Sequence, residues 1–389
     1  MIARNIEYGK MMNIVLVSNY FNHHQQPLCE ALEARCDSFF FISTTVMREE
    51  RKKLGYAFEQ PEYVILAYED GGMERARKAI AAADAIIYGS AVGELSKRRY
   101  YRGKNMLYYS ERIYKRGCRR WLLPYRAARF YVRYQWRQRS LLLCAGAYAA
   151  YDYSRSRTFL NRCYKWGYFP EAKTFDIHAL IADKQPRSLL WCGRLIDWKH
   201  PEIAVQVAAR LKQDGCRFSL DIIGSGAMEQ TLAAMIEQNG LQHEVRLLGS
   251  MPPQETRRHM ERAEIMLLTS DRQEGWGAVL NEAMNSGCAV AASSAMGAAP
   301  FLIEDGTNGL LCRPENTDDF YGAVKRLLAD DGLRRQLGTE AYRTVTGLWH
   351  APVAAERVLA FAENMTAGEP LPVFADGPCS RAAIIKTIT

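Results

Sequence analysis

Short apolar runs alternate with segments of helical spacing along most of the chain, and this alternation limits the possible folds more than any other feature. The run Asn13–Ser18 is apolar and ends in a polar turn, which is typical of a strand buried on both faces of a parallel sheet. The helical spacing of Pro27–Arg35 would return the chain to the next strand. The pattern therefore predicts an open parallel sheet covered by helices. Its further strands are expected at Ser38–Ser43, Tyr63–Leu66, Ala85–Tyr88, Met106–Tyr109 and Leu141–Cys144.

A second set of strands and helices follows the first, so 389 residues divide most naturally into two doubly wound, Rossmann-like domains. Ligands of such sheets bind where the carboxyl ends of the strands meet, and we expect a functional cleft where the two domains face each other. The second set of strands is predicted at Ser188–Cys192, Phe218–Ile223, Val245–Leu248, Ile265–Leu268, Ala289–Ala292 and Gly309–Cys312. The predicted division is an N-terminal domain at 1–167, a hinge at 168–187, a C-terminal domain at 188–347, a helix at 348–365 and a tail at 366–389.

Composition narrows the cellular setting. No apolar run approaches the roughly 20 residues of a transmembrane helix, and Met1–Lys10 lacks the apolar stretch of a signal peptide. Met11 or Met12 would start the first strand more naturally, so Met1–Lys10 could be an upstream extension. The ten cysteines are scattered without a Cys-x-x-Cys pair, which favours reduced thiols over disulfides or a zinc site. We therefore expect a cytoplasmic protein.

Positive charge is concentrated in one segment. Lys97–Arg139 contains 15 Lys or Arg and a single acid, Glu111. Aromatic residues are interleaved with this charge, and Trp121–Arg139 has helical spacing. Arg and Lys beside Tyr and Trp suit an anionic, amphipathic surface, so we predict contact with a membrane face. A solvated basic helix over an aromatic core, or a nucleic-acid interface, would explain the same pattern less fully.

Two glycine-containing loops follow strands of the second set. Cys192–Pro201 places Arg194 and Lys199 five residues apart, and Gly193 would let the backbone approach a ligand. Such a pair of cations could neutralise a diphosphate, although both could instead be solvated loop charges. Gly224-Ser225-Gly226 is a weaker signal, because no third glycine completes a dinucleotide fingerprint.

Two acids, Glu274 and Glu282, frame the most informative stretch. Glu274 lies in a loop that follows a strand, and Glu282 lies eight positions later inside the next helix. Each carboxylate could accept hydrogen bonds from a pair of ligand hydroxyls, while the helix N-terminus near Ala278 would face phosphates between them. The alternative is an acid at a helix cap together with a solvated helical glutamate.

Three segments taken together resemble the retaining GT-B glycosyltransferases of family 4. That family pairs a Gly-Arg-Leu…Lys loop with a Glu-Gly-Phe-Gly…Glu-Ala-Met segment and a later Gly-x-x-Gly-Leu-Leu turn. This chain carries Gly193-Arg194-Leu195…Lys199, then Glu274–Met284 with Trp276 in place of Phe, then Gly306-Thr307-Asn308-Gly309-Leu310-Leu311. The resemblance covers about 188–363 and implies the GT-B fold, in which two Rossmann-like domains face each other across a cleft.

The resemblance also implies the roles of individual donor-side residues. Arg194 and Lys199 would hold the diphosphate of the donor, with Gly193 and Gly224 in the adjoining turns. Glu274 would contact the transferred sugar, and Glu282 would bind the ribose hydroxyls. Two backbone stretches would complete the donor site, one against the base at Gly249, Ser250 and Met251, the other against the phosphates at Gly275, Trp276, Gly277, Ala278 and Val279.

The N-terminal half departs from the family pattern. The usual glycine pair after the first strand is replaced by Asn22-His23-His24-Gln25-Gln26-Pro27, and a later His-Asp is replaced by Ser110-Glu111. Asn22, His23, His24 and Glu111 are therefore candidates on the acceptor side. Of these, His24 and Glu111 join Arg194, Lys199 and Glu274 as predicted catalytic residues. Each could instead cap a helix or serve the fold.

The resemblance implies transfer of a sugar, with retention, from a nucleoside-diphosphate sugar, UDP-linked by our prediction. The acceptor would be a glycan or a lipid-linked oligosaccharide of the cell envelope, capsule or exopolysaccharide. No Asp-x-Asp occurs in the sequence, so we expect no metal and no other cofactor. A position on the inner membrane face would follow from the segment Lys97–Arg139, and nucleic acid is not expected as a partner. The rival functions are a GT-B sugar-nucleotide epimerase and a basic binding module.

Overall fold

The computed structural model describes residues 12–47, 60–136 and 139–386, except for the side chain of Arg120. The segment Met1–Lys10 and residue Arg137 lie outside this part of the chain. Within the described residues the protein consists of two parallel sheets with helices on their faces. All ten cysteines carry free thiols. None of the described helices combines the length and the apolar composition that crossing a bilayer requires.

The first sheet has seven parallel strands in the order β3-β2-β1-β4-β5-β6-β7. Its central strands are buried along almost their whole length, as expected when helices cover both faces. The strands are β1 Asn13–Ser18, β2 Ser38–Ser43, β3 Val64–Leu66, β4 Ala85–Tyr88, β5 Asn105–Ser110, β6 Ser140–Ala145 and β7 Cys163–Trp166. The helices of this half are α1 Gln26–Glu33, α2 Gly72–Ala82, α3 Leu123–Phe130 and α4 Ala149–Ser154.

The second sheet has six parallel strands in the order β10-β9-β8-β11-β12-β13. Its strands are β8 Ser188–Cys192, β9 Ser219–Ile223, β10 Val245–Gly249, β11 Ile265–Leu268, β12 Ala289–Ser293 and β13 Leu310–Cys312. The helices of this half are α5 Ile177–Ala182, α6 Pro201–Gln213, α7 Glu229–Gln238, α8 Pro253–Arg262, α9 Ala278–Asn285, α10 Ala299–Leu302, α11 Thr317–Ala329, α12 Asp331–Gly347 and α13 Ala351–Ala367. In both sheets the strand order reverses beside the first strand of the set, which is where a ligand crevice opens.

The α/β, GT-B fold class predicted from the sequence is confirmed by these two sheets and by the solved structures described below. One strand escaped prediction. In β7, Cys163–Trp166, only Tyr164 and Trp166 are buried, so the segment has no continuous apolar run. It lies at the edge of the sheet, where one-sided burial is common.

The helix predicted over Trp121–Arg139 is shorter than expected. An α-helical part, α3, ends at Phe130 and gives way to a π-helical turn over Tyr131–Gln135. The periodicity of the sequence continues across this change because both conformations keep the aromatic residues Phe130 and Tyr134 on the inner side.

The C-terminal end of the chain packs on the first domain. Helix α13 lies against α1, and the amide of Asn105 donates to Thr366 Oγ1 at 2.9 Å. Beyond it, Cys379 is buried and pairs with β7 through Cys379 N–H to Lys165 O at 2.8 Å and Lys165 N–H to Ser380 O at 2.7 Å. The segment thus covers an edge strand that would otherwise expose unpaired backbone groups.

Candidate active site

The loops after β8, β9 and β10 are joined by backbone contacts at the carboxyl edge of the second sheet. Gly193 N–H donates to Ile223 O at 3.0 Å, and Gly224 N–H donates to Gly249 O at 2.8 Å. Gly224 has φ +141°, and a Cβ there would overlap the carbonyl oxygen of Gly193. Only glycine permits this conformation and this close approach. The predicted donor-site glycines Gly193, Gly224 and Gly249 are therefore brought together.

Lys199 and Glu274 form an ion pair at this edge, and their side chains are 12% and 13% exposed. Ser270 Oγ donates to the same carboxylate at 3.2 Å. The Trp198 ring lies between the cations, with its centroid 5.2 Å from Lys199 Nζ and 5.4 Å from Arg194 Cζ. Because Arg194 is exposed while Lys199 is largely enclosed, the site offers one fixed cation and one that can reach out to a ligand. The predicted group Arg194, Lys199 and Glu274 is assembled.

Helix α9 begins directly after Glu274-Gly275-Trp276-Gly277, and Gly277 has φ +92°. The first-turn N–H groups of a helix have no partners within it, so the N-terminus of α9 favours an anion. Ala278 and Val279 form this first turn and are partly exposed. Gly275 is buried, and its backbone lies against the carboxylate of Glu111 from the first domain.

The Trp276 ring does not face the cleft, so the predicted donor contact of this residue rests on its backbone. Its side chain is fully buried, its Nε1–H donates to Asn281 Oδ1 at 2.9 Å, and its ring packs against Gly167 and Trp349. A large aromatic ring gains most by leaving water completely, and the only polar atom of this ring has a partner. Trp276 therefore fastens this loop to Gly167 and Trp349, and only its backbone borders the site.

Glu282 lies within α9 and faces the first domain. Its carboxylate oxygen lies within 4.8 Å of ring nitrogens of both His23 and His24. Burial raises the pKa of Glu282 and lowers the pKa of His23. The side chain is partly exposed and lies beside both histidine rings of the first domain.

The residues predicted to meet the base, Gly249, Ser250 and Met251, end and follow β10. Ser250 follows β10, and its Oγ lies 2.7 Å from Ser225 Oγ in the neighbouring loop. Met251 is partly buried against the core, so the backbone of this segment is held in place. The geometry brings Gly249, Ser250 and Met251 next to the Gly224 turn, beside rather than within the Lys199–Glu274 centre.

A cavity of about 450 Å³ opens on the first domain, between the ends of β1, β4 and β5. Three of the four predicted acceptor-side residues, Asn22, His24 and Glu111, line it. Asn22 also supports the start of α1, because its Oδ1 accepts from His24 N–H at 3.0 Å. His23 does not line this cavity; its ring packs on His24 at 3.9 Å between centroids.

Glu111 stands between the cavity and the loop at Gly275. Its Oε1 accepts from Tyr168 O–H at 2.8 Å, and Lys115 Nζ pairs with Oε2. Sequence reasoning missed both partners. Nothing in the sequence distinguishes Lys115 from the other cations among the fifteen of Lys97–Arg139. Tyr168 lies in the predicted hinge, where no functional residue was expected. Asp152, buried beneath this loop, accepts from Tyr114 N–H at 2.8 Å and fixes the course of the chain between Glu111 and Lys115.

The two domains touch through backbone beside this centre. Ala147 N–H donates to Gly297 O at 2.8 Å, and Arg112 Nη1 donates to Arg272 O at 3.4 Å. Gly146 meets the carbonyl of Gly275 so closely that it has no room for a side chain. Gly146 directly follows β6, and Gly297 lies near the end of β12. These glycines could have indicated a close backbone approach, but nothing in the local sequence indicated that they approach each other.

Two groups among the described residues offer several metal-ligating atoms within 4.8 Å of one another. One is His23, His24 and Glu282, and the other is His200, Asp271 and Glu315. His200 Nδ1 is already 2.8 Å from Glu202 Oε1, and this contact raises the pKa of His200. The expectation of a metal-free reaction stays a prediction.

The two facing parallel sheets and the cleft between them define a protein of the GT-B class. Residues 173–344 match the family model described as "Glycosyl transferases group 1".

Two curated relatives illustrate the match. The amylovoran biosynthesis glycosyltransferase AmsK of Erwinia amylovora is 33% identical over 159 residues, which are 40% of this chain and 39% of AmsK. An N-acetylgalactosamine-N,N'-diacetylbacillosaminyl-diphospho-undecaprenol 4-alpha-N-acetylgalactosaminyltransferase of Campylobacter jejuni is 31% identical over 153 residues, 39% of this chain and 40% of that protein. The chain thus spans about two fifths of the length of these relatives.

Solved structures extend the likeness to the whole fold. Anabaena Alr3699/HepE in complex with UDP aligns with 92% of this chain and 100% of its own, at a TM-score of 0.65 and 15% identity. A glycosyltransferase from Rickettsia africae aligns with 92% of this chain and 99% of its own, at a TM-score of 0.66 and 13% identity. At such identities the likeness establishes the fold alone.

Proposed function

We propose that the protein is a glycosyltransferase that moves a sugar from a nucleoside-diphosphate sugar to a hydroxyl of a glycan or lipid-linked acceptor. The observation that carries this proposal is the meeting of Arg194, Lys199 and Glu274 beside the N-terminus of α9. Two cations and helix N–H groups suit a diphosphate, and a carboxylate beside them suits sugar hydroxyls. The acceptor cavity opens next to this centre, across Glu111.

The relatives support a role in polysaccharide assembly. AmsK is a glycosyltransferase of amylovoran biosynthesis, and the Campylobacter protein acts on a diphospho-undecaprenol-linked glycan. A GT-B epimerase would need no acceptor, whereas here a cavity of about 450 Å³ borders the reacting centre. This favours transfer over epimerisation.

The proposed reaction retains the configuration of the transferred sugar. The bond between the anomeric carbon and the diphosphate oxygen breaks, and the leaving diphosphate takes the electron pair. The acceptor oxygen bonds to the same face of the anomeric carbon, and its proton passes to the departing phosphate oxygen. Arg194, Lys199 and the first turn of α9 stabilise the growing negative charge. One preorganised donor of this kind contributes roughly 2–4 kcal/mol.

Glu274 and Glu282 divide the rest of the donor. Glu274, held by Lys199 and Ser270, orients the hydroxyls of the transferred sugar. Glu282 binds the ribose hydroxyls, which replace water at a carboxylate whose pKa burial has raised. We propose uridine as the base, as in the UDP complex of HepE, and we propose that the two cations replace a metal.

A thermal-shift screen across nucleotide sugars tests the donor first, because a ligand that binds only the folded state raises its melting temperature. With the donor identified, Arg194→Ala and Lys199→Ala are expected to lower kcat/KM about 100-fold each, in the presence of EDTA. Arg217→Ala removes an exposed arginine of the same domain and serves as the matched control. Near-normal turnover in both cleft variants would refute the assignment, and loss of activity in EDTA would refute metal independence.

A further inference from the structure

The helical segment Trp121–Trp136 turns an apolar face toward solvent. It comprises a short 3-10 turn, α3 and the π-helical turn, and none of its described residues is fully buried. Surface helices of globular proteins normally direct the apolar side at the core. Here the residues at three- and four-residue intervals on the outer side are Trp121, Tyr125, Ala128, Val132 and Trp136, all exposed. Trp121 is 72% exposed and Tyr125 is 64% exposed.

The opposite side of the segment packs against the hydrophobic core of the first domain. The Tyr134 ring packs edge-on against Tyr108 at 4.9 Å and lies 5.5 Å from Phe159. The Phe130 ring lies 6.0 Å from Tyr153. These contacts anchor the helix, so the outward aromatic residues contribute little to folding.

Exposed apolar side chains are concentrated here. The described residues contain eleven large hydrophobic side chains that are strongly exposed, and five of them fall within these sixteen positions. Isolated exposed hydrophobic residues need no explanation, but a contiguous patch marks an interaction surface. The five are Trp121, Tyr125, Tyr131, Val132 and Trp136.

Exposed cations lie within the segment or shortly before it in sequence. Arg116, Arg119 and Arg129 are exposed, and no carboxylate of the described residues lies within ion-pair distance of any of them. The only acid in Lys97–Arg139 is Glu111, which faces the cleft and pairs with Lys115. The patch therefore combines aromatic side chains with uncompensated positive charge.

We infer that this face docks on the surface of an anionic lipid bilayer. Trp and Tyr side chains concentrate at the boundary between headgroups and acyl chains, and arginines beside them attract acidic headgroups. A helix of this length lies in the plane of the interface with its apolar face inward. Nucleic acid is less well matched, because Ala128 and Val132 occupy the middle of the face and offer no stacking surface.

Docking through this face bears on the proposed function, because it would bring the enzyme to a lipid-linked acceptor. Only the identity of the acceptor rests on the proposed function. The chain leaves the cleft at Glu111 and reaches Trp121 ten positions later. Asp152 holds the start of this connection, through Tyr114 N–H, to the domain that carries the acceptor cavity. A membrane beneath Trp121–Trp136 would thus be attached to the acceptor side of the enzyme, where a lipid-linked acceptor is needed.

Vesicle flotation at low salt, without donor or acceptor, tests the inference independently of catalysis. The protein is expected to float with vesicles of phosphatidylcholine and phosphatidylglycerol and much less with phosphatidylcholine alone. The variant Trp121→Ser/Tyr125→Ser/Trp136→Ser should bind the acidic vesicles about tenfold or more weakly. The matched control Tyr68→Ser/Val373→Ser/Ile384→Ser removes three exposed side chains elsewhere and should float like the wild type.

Circular dichroism and the nucleotide thermal shift verify that both variants are folded. Equal flotation of the two variants and the wild type would overturn the inference, as would failure of the wild type to bind acidic vesicles. Retention of the wild type by random RNA but not by vesicles would assign the surface to nucleic acid instead. If flotation behaves as expected but no nucleotide sugar is used, the proposed function fails while the docking surface stands.

Discussion

Substitution of Gly146 by alanine should hold the two domains apart without unfolding either. Gly146 follows β6 of the first domain and has φ +121°. A Cβ at this position would lie 2.4 Å from the carbonyl oxygen of Gly275 and 3.3 Å from Gly297 Cα, both in the second domain. Ordinary Cβ contacts begin at 3.4 Å, so the facing backbones must separate by about 1 Å.

The separation should lower the reaction rate, because the backbone at Gly275 also positions residues of the site. Gly275 adjoins Glu274 on one side and touches the Glu111 carboxylate on the other. A displacement of about 1 Å between reacting groups can reduce the rate about 100-fold, equivalent to roughly 2.7 kcal/mol of transition-state stabilisation. We expect Gly146→Ala to lower kcat/KM by about that factor. The melting temperature should change little, because neither domain loses its own packing.

Gly103→Ala is the matched control. Gly103 has φ +77°, so alanine is also strained there, but no described atom lies within 4 Å of its added Cβ. Steady-state kinetics measure the rate, and small-angle scattering with and without the nucleotide measures closure. Full activity in Gly146→Ala, or an equal loss in Gly103→Ala, would show that close approach of the domains at Gly146 is not required.

Two further predictions concern buried ionisable groups. Lys184→Met should destabilise the second domain by about 3 kcal/mol in thermal unfolding, because four backbone carbonyl oxygens lie within hydrogen-bond distance of Lys184 Nζ and share its three N–H donors. The exposed control Lys212→Met should cost less than about 1 kcal/mol. Similar losses in both would refute the argument. Burial raises the pKa of Glu282, because it penalises the ionised carboxylate in the folded state. The free energy of unfolding is therefore highest below the pKa of the unfolded state, and it falls as pH rises through the pKa of the folded state. Glu282→Gln should therefore raise the melting temperature at pH 7, by an amount that shrinks toward pH 4, while weakening UDP binding, and the exposed Glu237→Gln should change neither.

The strands were the most predictable part of the fold. Runs such as Asn13–Ser18 and Ile265–Leu268 are buried on both faces, so their apolar composition alone marks their ends. Strand β7 was not predictable, because its edge position leaves alternate residues exposed and its pairing with Cys379–Ala382 joins distant parts of the chain.

The meeting of the loops at the carboxyl edge of the second sheet was also predictable, since these loops lie directly after strands of one sheet. Parallel strands bring such loops to one edge whatever their separation in sequence, as the Lys199–Glu274 pair shows. The orientation of the Trp276 ring was not predictable. Its neighbours face the cleft, but the direction of its own ring depends on the space left by Gly167 and Trp349.

The sequence by itself determined the two parallel sheets, the loops that carry the cations and acids, and the concentration of positive charge in one segment. These features are local, because they depend on periodicity, on glycine and on the position of a loop after a strand. Only the tertiary structure decided that Glu111 pairs with Tyr168 and touches Gly275, that Glu282 lies beside His23 and His24, and that Trp121–Trp136 turns its aromatic face outward. Those outcomes depend on how separate domains and helices pack, and packing balances burial over the whole molecule rather than over a stretch of residues.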